Sequence, residues 1–176
     1  MLYMFGFDRV GVVVGDLYFV NPDPDPGQEG AEQGVRLEVR LLEPGQLRGS
    51  IYSAQPIAVD RPLWRADLLE SVDNPGTLDR AHHHPRFSGW EPGKRHYEEG
   101  MTADPCGWVA RRLSDLDALL AEAGVDQGIA GTDGPRLAAI VPEIIAAVER
   151  LLEQVRSTGH DPAVAPGPQG TRSGWL

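Results

Sequence analysis

Apolar positions recur at every second residue early in the chain and at every third or fourth residue later. The early pattern predicts strands, because successive strand side chains point to opposite faces. "RVGVVVGDLYFV" is rich in valine and interrupted by Gly15-Asp16, which predicts a hairpin of Arg9–Val14 and Leu17–Val20. "NPDPDPGQEGAEQG", residues 21–34, places prolines at alternate positions among acids and predicts an exposed loop. Its Asp23-x-Asp25 resembles the start of a calcium loop but lacks the glycine and closing glutamate at the required spacings. "VRLEVRLL", residues 35–42, alternates without fault: Val35, Leu37, Val39 and Leu41 share one face, Arg36, Glu38 and Arg40 the other. "EPGQ" turns the chain, "GSIYSAQPIAV" predicts a strand broken near Pro56, and "LWRADLLESV" pairs with "LDRAHHHPRF" across the turn "DNPG". The runs describe an antiparallel meander of about six strands.

After "SGWEPGKRHYEEG" the period lengthens. Asp104 as N-cap, Pro105 behind it and Gly124 beyond predict a helix over 105–123, with Trp108, Val109, Leu113, Leu116, Leu119 and Leu120 on its apolar side. A second helix is expected over 133–156, carrying Leu137, Val141, Ile144, Ile145, Val148, Leu151, Leu152 and Val155. Pro142 should kink it or mark its true start. Residues 157–176, rich in Pro, Gly and Ser, read as a disordered tail. Strands followed by helices imply the α+β class: one domain over 1–156, with a mostly antiparallel sheet within 5–100. Two helices would cover one face and leave the other toward water.

Charge changes the picture locally. The chain carries a net −10, yet residues 61–112 balance eight basic against eight acidic groups and hold four of the five histidines. Overall acidity speaks against a nucleic-acid backbone as partner, which needs a basic footprint, but leaves room for a small anion site in the middle. No apolar run reaches the length of a membrane span and the start lacks a basic leader, so a cytoplasmic location is expected. The lone Cys106 excludes an internal disulfide; its place near a helix start could lower its pKa, although a packed residue is the simpler reading.

The histidine run carries the candidate chemistry. Centring the hairpin on "DNPG" makes opposed residue numbers sum to about 149. Asp67 then faces His82, Arg65 faces His84 and Leu69 faces Arg80. Alternation gathers Arg65, Asp67, Arg80, His82, His84 and Arg86 on one face. Trp64, Ala66, Leu68, Ala81, His83 and Phe87 share the other, under the helices. Asp67 beside His82 and His84 has the make-up of an acid–base group, and Arg65 and Arg80 that of an anion clamp. His82 and His84 with Asp67 could also offer two nitrogens and an oxygen to a metal, with His96 in reach, but the arginines are poor company for a cation. No metal and no cofactor is therefore expected.

"LWRADLL" followed by "RAHHHPRF" resembles small toxin components of the TumE type from bacterial toxin–antitoxin pairs, which carry an Arg-x-Asp on a strand and histidine-rich pieces after it. The resemblance covers at most residues 35–98 and implies an RNA-directed activity with Arg65, Asp67, His82 and His84 at the motif positions. Here a hairpin loop separates the Asp from the histidines, Leu68 follows Asp67, and two helices are appended. The chain also resembles an uncharacterised actinobacterial protein family, which implies no activity. Without a catalytic spacing of its own, the sequence favours a non-catalytic interaction or regulatory domain. Its partner would be a protein, a second copy included, or a small anionic ligand, and an apolar patch on the long helix would serve it. A small hydrolase or nuclease built on the cluster is the alternative.

Overall fold

The computed structural model describes residues 1–20 and 30–158. Five strands form one antiparallel sheet in chain order: β1 (Leu2–Gly6), β2 (Val10–Val20), β3 (Ala31–Pro44), β4 (Ile57–Ser71) and β5 (His82–His84). A two-stranded hairpin follows, β6 (Phe87–Ser88) and β7 (Glu91–Pro92). The helices are α1 (Glu99–Ala103), α2 (Pro105–Ser114), α3 (Leu116–Ala123) and α4 (Asp133–Thr158), with a 3₁₀ turn at Gln127–Ile129. The α+β meander expected from the pattern is present. No helix among the described residues is long and apolar enough to cross a membrane.

Several boundaries differ, each for a local reason. Gly15-Asp16 is not a turn: β2 runs straight through it, and the first hairpin turns at 7–9. Gly15 is small because Leu2 of the neighbouring strand lies over it; an added Cβ would sit 3.1 Å from the Leu2 side chain. The loop expected to reach residue 34 ends earlier, since β3 begins at Ala31. Gly34 belongs to that strand at φ +150°, where a Cβ would lie 2.1 Å from the Leu68 carbonyl oxygen. The rest of that loop, with Asp23 and Asp25, and the tail from 159 onward lie outside the described residues. Of the strand expected over "GSIYSAQPIAV", residues 49–56 are irregular, and from Ile57 the chain runs on through "LWRADLL" as one strand, β4, with a β-bulge near Arg40 absorbing the misfit with β3.

One face of the sheet carries Val10, Val12, Val14, Val35, Leu37, Val39, Trp64, Ala66 and Leu68, all fully buried under the helices. The helix expected over 105–123 is two: Asp115 breaks it and caps α3 through the Ala118 N–H at 3.0 Å. Asp104 caps α2, accepting from Gly107 N–H at 2.9 Å, and Gly124 ends α3 in the left-handed conformation at φ 69°. Pro142 neither starts nor ends α4, which runs through it to Thr158. At the head of that helix the buried Asp133 carboxylate accepts from the backbone N–H groups of Asp8, Arg9 and Val10 at 3.1, 2.7 and 3.0 Å. It thereby pins the β1–β2 turn to the helical layer.

The second face is not simply turned to water. The β6–β7 hairpin folds back across it, with the Phe87 ring 5.8 Å from the Arg65 guanidinium and the Trp90 ring 5.1 Å from that of Arg40. Alternation stops at Pro85, so Phe87 lies with Arg65 rather than under the helices. Arg86 correspondingly leaves the cluster and donates to the Glu122 carbonyl on α3 at 2.9 Å.

Candidate functional site

The β4–β5 register is the one counted from the turn: Arg65 opposite His84, Ala66 opposite His83, Asp67 opposite His82. Arg80 N–H donates to the Leu69 carbonyl at 3.0 Å, continuing it. β5 is only three residues long, and its far edge is held by a backbone bridge between His83 and His96.

Asp67 is the centre of the cluster and has no exposed surface. Its Oδ1 lies 2.7 Å from Arg36 Nε; its Oδ2 lies 2.9 Å from Arg65 Nε, 3.4 Å from His82 Nε2 and 3.5 Å from His84 Nε2. None of these approaches to Oδ2 has hydrogen-bond geometry, so that oxygen is a buried acceptor without a hydrogen bond. Burial alone would push the Asp67 carboxyl up, but His82, His84 and the Arg36 and Arg65 charges outweigh it and hold it well below the usual carboxylate range.

Both outer imidazoles are oriented by backbone. His82 Nδ1 donates to the Arg80 carbonyl at 2.8 Å and His84 Nδ1 to the Gly93 carbonyl at 2.7 Å, since a carbonyl can only accept. In each ring Nε2 is therefore the nitrogen aimed at the cluster. Arg65 Nη2 meets His84 Nε2 at 2.9 Å. Tyr97 lies 5.6 Å from the His82 ring. The outcome is a closed polar knot: His82, His84 and Asp67 are all buried, and the Arg65 side chain is 12% exposed.

Arg80 Nε lies 3.8 Å from Asp79 Oδ2, and the Arg80 carbonyl orients His82. The second arginine at Asp67 is Arg36, opposite it in the β3–β4 register. Arg36 was visible on the polar face of its strand, but the bulge beside Arg40 hid its partner from any count along the chain. His83, the middle of the three, faces the helices between Trp64 and Trp108, with ring centroids 6.1 and 4.9 Å away. Burial lowers its pKa, against the pull of Glu98, whose carboxylate lies 3.0 Å from Nε2. The His96 ring lies tilted against that of His83, 5.5 Å between centroids, opposite it in the backbone bridge and so on the face away from Asp67. Cys106 is half-buried, and burial with the nearby Glu149 and Asp104 pushes its thiol up, the opposite of the lowering a helix start would give.

Beside the knot lies a shallow concavity, open to solvent on the sheet's second face. Leu2, Met4, Val13, Leu17 and Val59 give it an apolar floor, and Asp16, Arg36, Glu38 and Arg40 are its charged groups. Leu2 and Met4 are 54% and 45% exposed, whereas no large apolar side chain of α4 is exposed. The apolar patch expected on the long helix is thus on the sheet. No protein-family model, curated protein or solved structure matches the chain.

Proposed function

We propose that the protein is a non-catalytic interaction or regulatory domain that binds through the open concavity of its sheet. The observation that carries this reading is a contrast of access. Every acid–base candidate is buried and engaged within the knot, while the neighbouring concavity is open and floored with apolar side chains. Exposed apolar surface rimmed by charge marks binding sites in folded proteins. Arg36 joins the two regions: it holds Asp67 through Nε and also lines the concavity. The fitting partner has an apolar body and an anionic group, carried by a small molecule or by a protein segment.

The dye 8-anilinonaphthalene-1-sulfonate has that chemistry and serves as a probe. The folded protein should bind it with enhanced fluorescence, and Met4→Glu and Val13→Glu should each abolish the signal while leaving the circular dichroism unchanged. Absent binding, or binding indifferent to both substitutions, contradicts the reading.

A small hydrolase or nuclease is the second reading, favoured by the convergence of Arg65, Asp67, His82 and His84 beneath a short hairpin. A lid that opens would admit an anionic substrate to them. It predicts hydrolysis of an RNA oligonucleotide or of bis(p-nitrophenyl) phosphate that is lost in His82→Gln; no turnover by the wild type removes it.

A further inference from the structure

We propose that Asp67, His82 and His84 form a binding site for a divalent transition-metal ion of zinc-like chemistry, in competition with Arg65. The inference is independent of the binding reading given above. One ligand atom from each of the three residues falls within a span of 4.8 Å. Two imidazole nitrogens and a carboxylate oxygen are the donor types of zinc and its neighbours, not of calcium or magnesium.

Two of the three ligand spacings match the ion, and the third lies within 4.8 Å. Bonds of 2.0–2.1 Å to a tetrahedral centre put ligand atoms roughly 3.3–3.4 Å apart. The Asp67 Oδ2 to histidine Nε2 separations are 3.4 and 3.5 Å, too long for hydrogen bonds of full strength and close to the ligand–ligand value. The ring nitrogens facing away are fixed by the Arg80 and Gly93 carbonyls. That outer arrangement commonly orients metal-bound histidines, and it leaves both Nε2 lone pairs directed at Asp67 in the neutral rings. A lone pair pointed at a carboxylate is repulsive unless a proton or another cation lies between them. Asp67 Oδ2 itself is a buried acceptor without a hydrogen bond.

Arg65 now supplies part of that positive charge. Its Nε stands 2.9 Å from Oδ2 and its Nη2 2.9 Å from His84 Nε2, so a metal ion must displace the guanidinium. Somewhere to go exists: Glu38 is directly opposite Arg65 in the β3–β4 register and already attracts its charge. At His82 Nε2 the contact is Asp67 Oδ2, at 3.4 Å.

The test uses the full chain stripped of metal and titrated with Co²⁺, whose visible ligand-field bands report nitrogen and oxygen coordination, followed by Zn²⁺ displacement. The wild type should bind one Co²⁺ with those bands and gain thermal stability on binding. Outer partners of metal-bound histidines alone are worth roughly 10–100-fold in affinity, so His82→Gln and His84→Gln should each weaken binding by roughly 100-fold or more. Asp67→Asn should lose the bands; the two histidine variants are read beside it because Asp67 also anchors two arginines. Arg65→Gln should tighten binding, and His96→Gln should leave it unchanged. Binding that survives the His82 and His84 substitutions would overturn the proposal as adventitious. Absence of binding in the wild type overturns it too, even if Arg65→Gln binds, because Arg65 is then the cation the site is built around.

Discussion

The two faces of β4 and β5 put the same strands to opposite uses. On the helix side Trp64, Ala66, Leu68 and His83 are packed among apolar and aromatic groups, Trp64 and Trp108 stacking at 6.0 Å. On the other side Arg65, Asp67, His82 and His84 are almost as deeply buried, but by one another and a two-stranded hairpin. Burial is similar and its physical basis is not. The first face gains from leaving water. The second must recover, through ion pairs and hydrogen bonds, the desolvation cost of each group it hides. The difference teaches that burial alone does not identify a core: a histidine on one face is a packing residue and its neighbours on the other are a polar centre.

The largest effects should separate these mechanisms. Trp64→Ala and Asp67→Ala should each cost about 3–5 kcal/mol in urea unfolding, one by leaving a cavity and the other by stranding Arg36 and Arg65. Replacing both arginines by methionine in the Asp67→Ala background should restore much of the loss. No change on the open face should rescue Trp64→Ala. Next in size, Asp133→Ala removes three backbone bonds that fasten the helical layer to the β1–β2 turn, and should cost roughly 3 kcal/mol by the same measurement.

Acid should act in two steps, first on the helix side through His83, then on both faces through Asp67 on the open side and Glu70 beside Arg156 on the helix side. His83 is depressed by burial, so in the histidine range the unfolded chain binds the proton and the folded one does not. Its contribution is complete above the unfolded value of about 6.5 and falls with pH below it, at no more than about 1.4 kcal/mol per pH unit. Asp67 and Glu70 are also depressed, Asp67 by His82, His84 and the two arginines against burial, Glu70 by Arg156 against burial. Their contributions are complete above the ordinary carboxylate range and vanish as pH drops through their lower folded values. Denaturant midpoints of metal-free protein across pH, wild type against His83→Gln, should differ in slope near neutrality and agree in the acid limb. The smallest effect belongs to the hairpin. Trp90→Ala loses an exposed cation–π contact with Arg40 and should shift stability by less than about 1 kcal/mol.

Where local chemistry decides the structure, the chain was readable. The "DNPG" turn fixed the pairing of Asp67 with His82, and strict alternation then assigned His83 to the packed face. Asp104, Pro105 and Gly124 marked the ends of the α2–α3 region. Where neighbours decide, local rules misled. Gly15 and Gly34 look like loop glycines, yet they are small because Leu2 and the Leu68 backbone pass close to them. Asp115 looks like a surface residue of one helix and instead starts another. Arg36 could not be matched to Asp67 because a bulge and a long irregular connection separate their strands from any countable turn. Nor did the pattern announce that the chain beyond Pro85 would fold back over the polar face.

The most direct test of the two-face account is the ring-nitrogen NMR spectrum of the five histidines, assigned by single substitution in metal-free protein. The account predicts that His82 and His84 both carry a hydrogen-bonded proton on Nδ1, donated to the Arg80 and Gly93 carbonyls. Asp67→Asn should perturb their Nε2 signals and leave those of His83 in place. Nδ1 found unprotonated in His82 and His84, or a response to Asp67→Asn centred on His83, would contradict it.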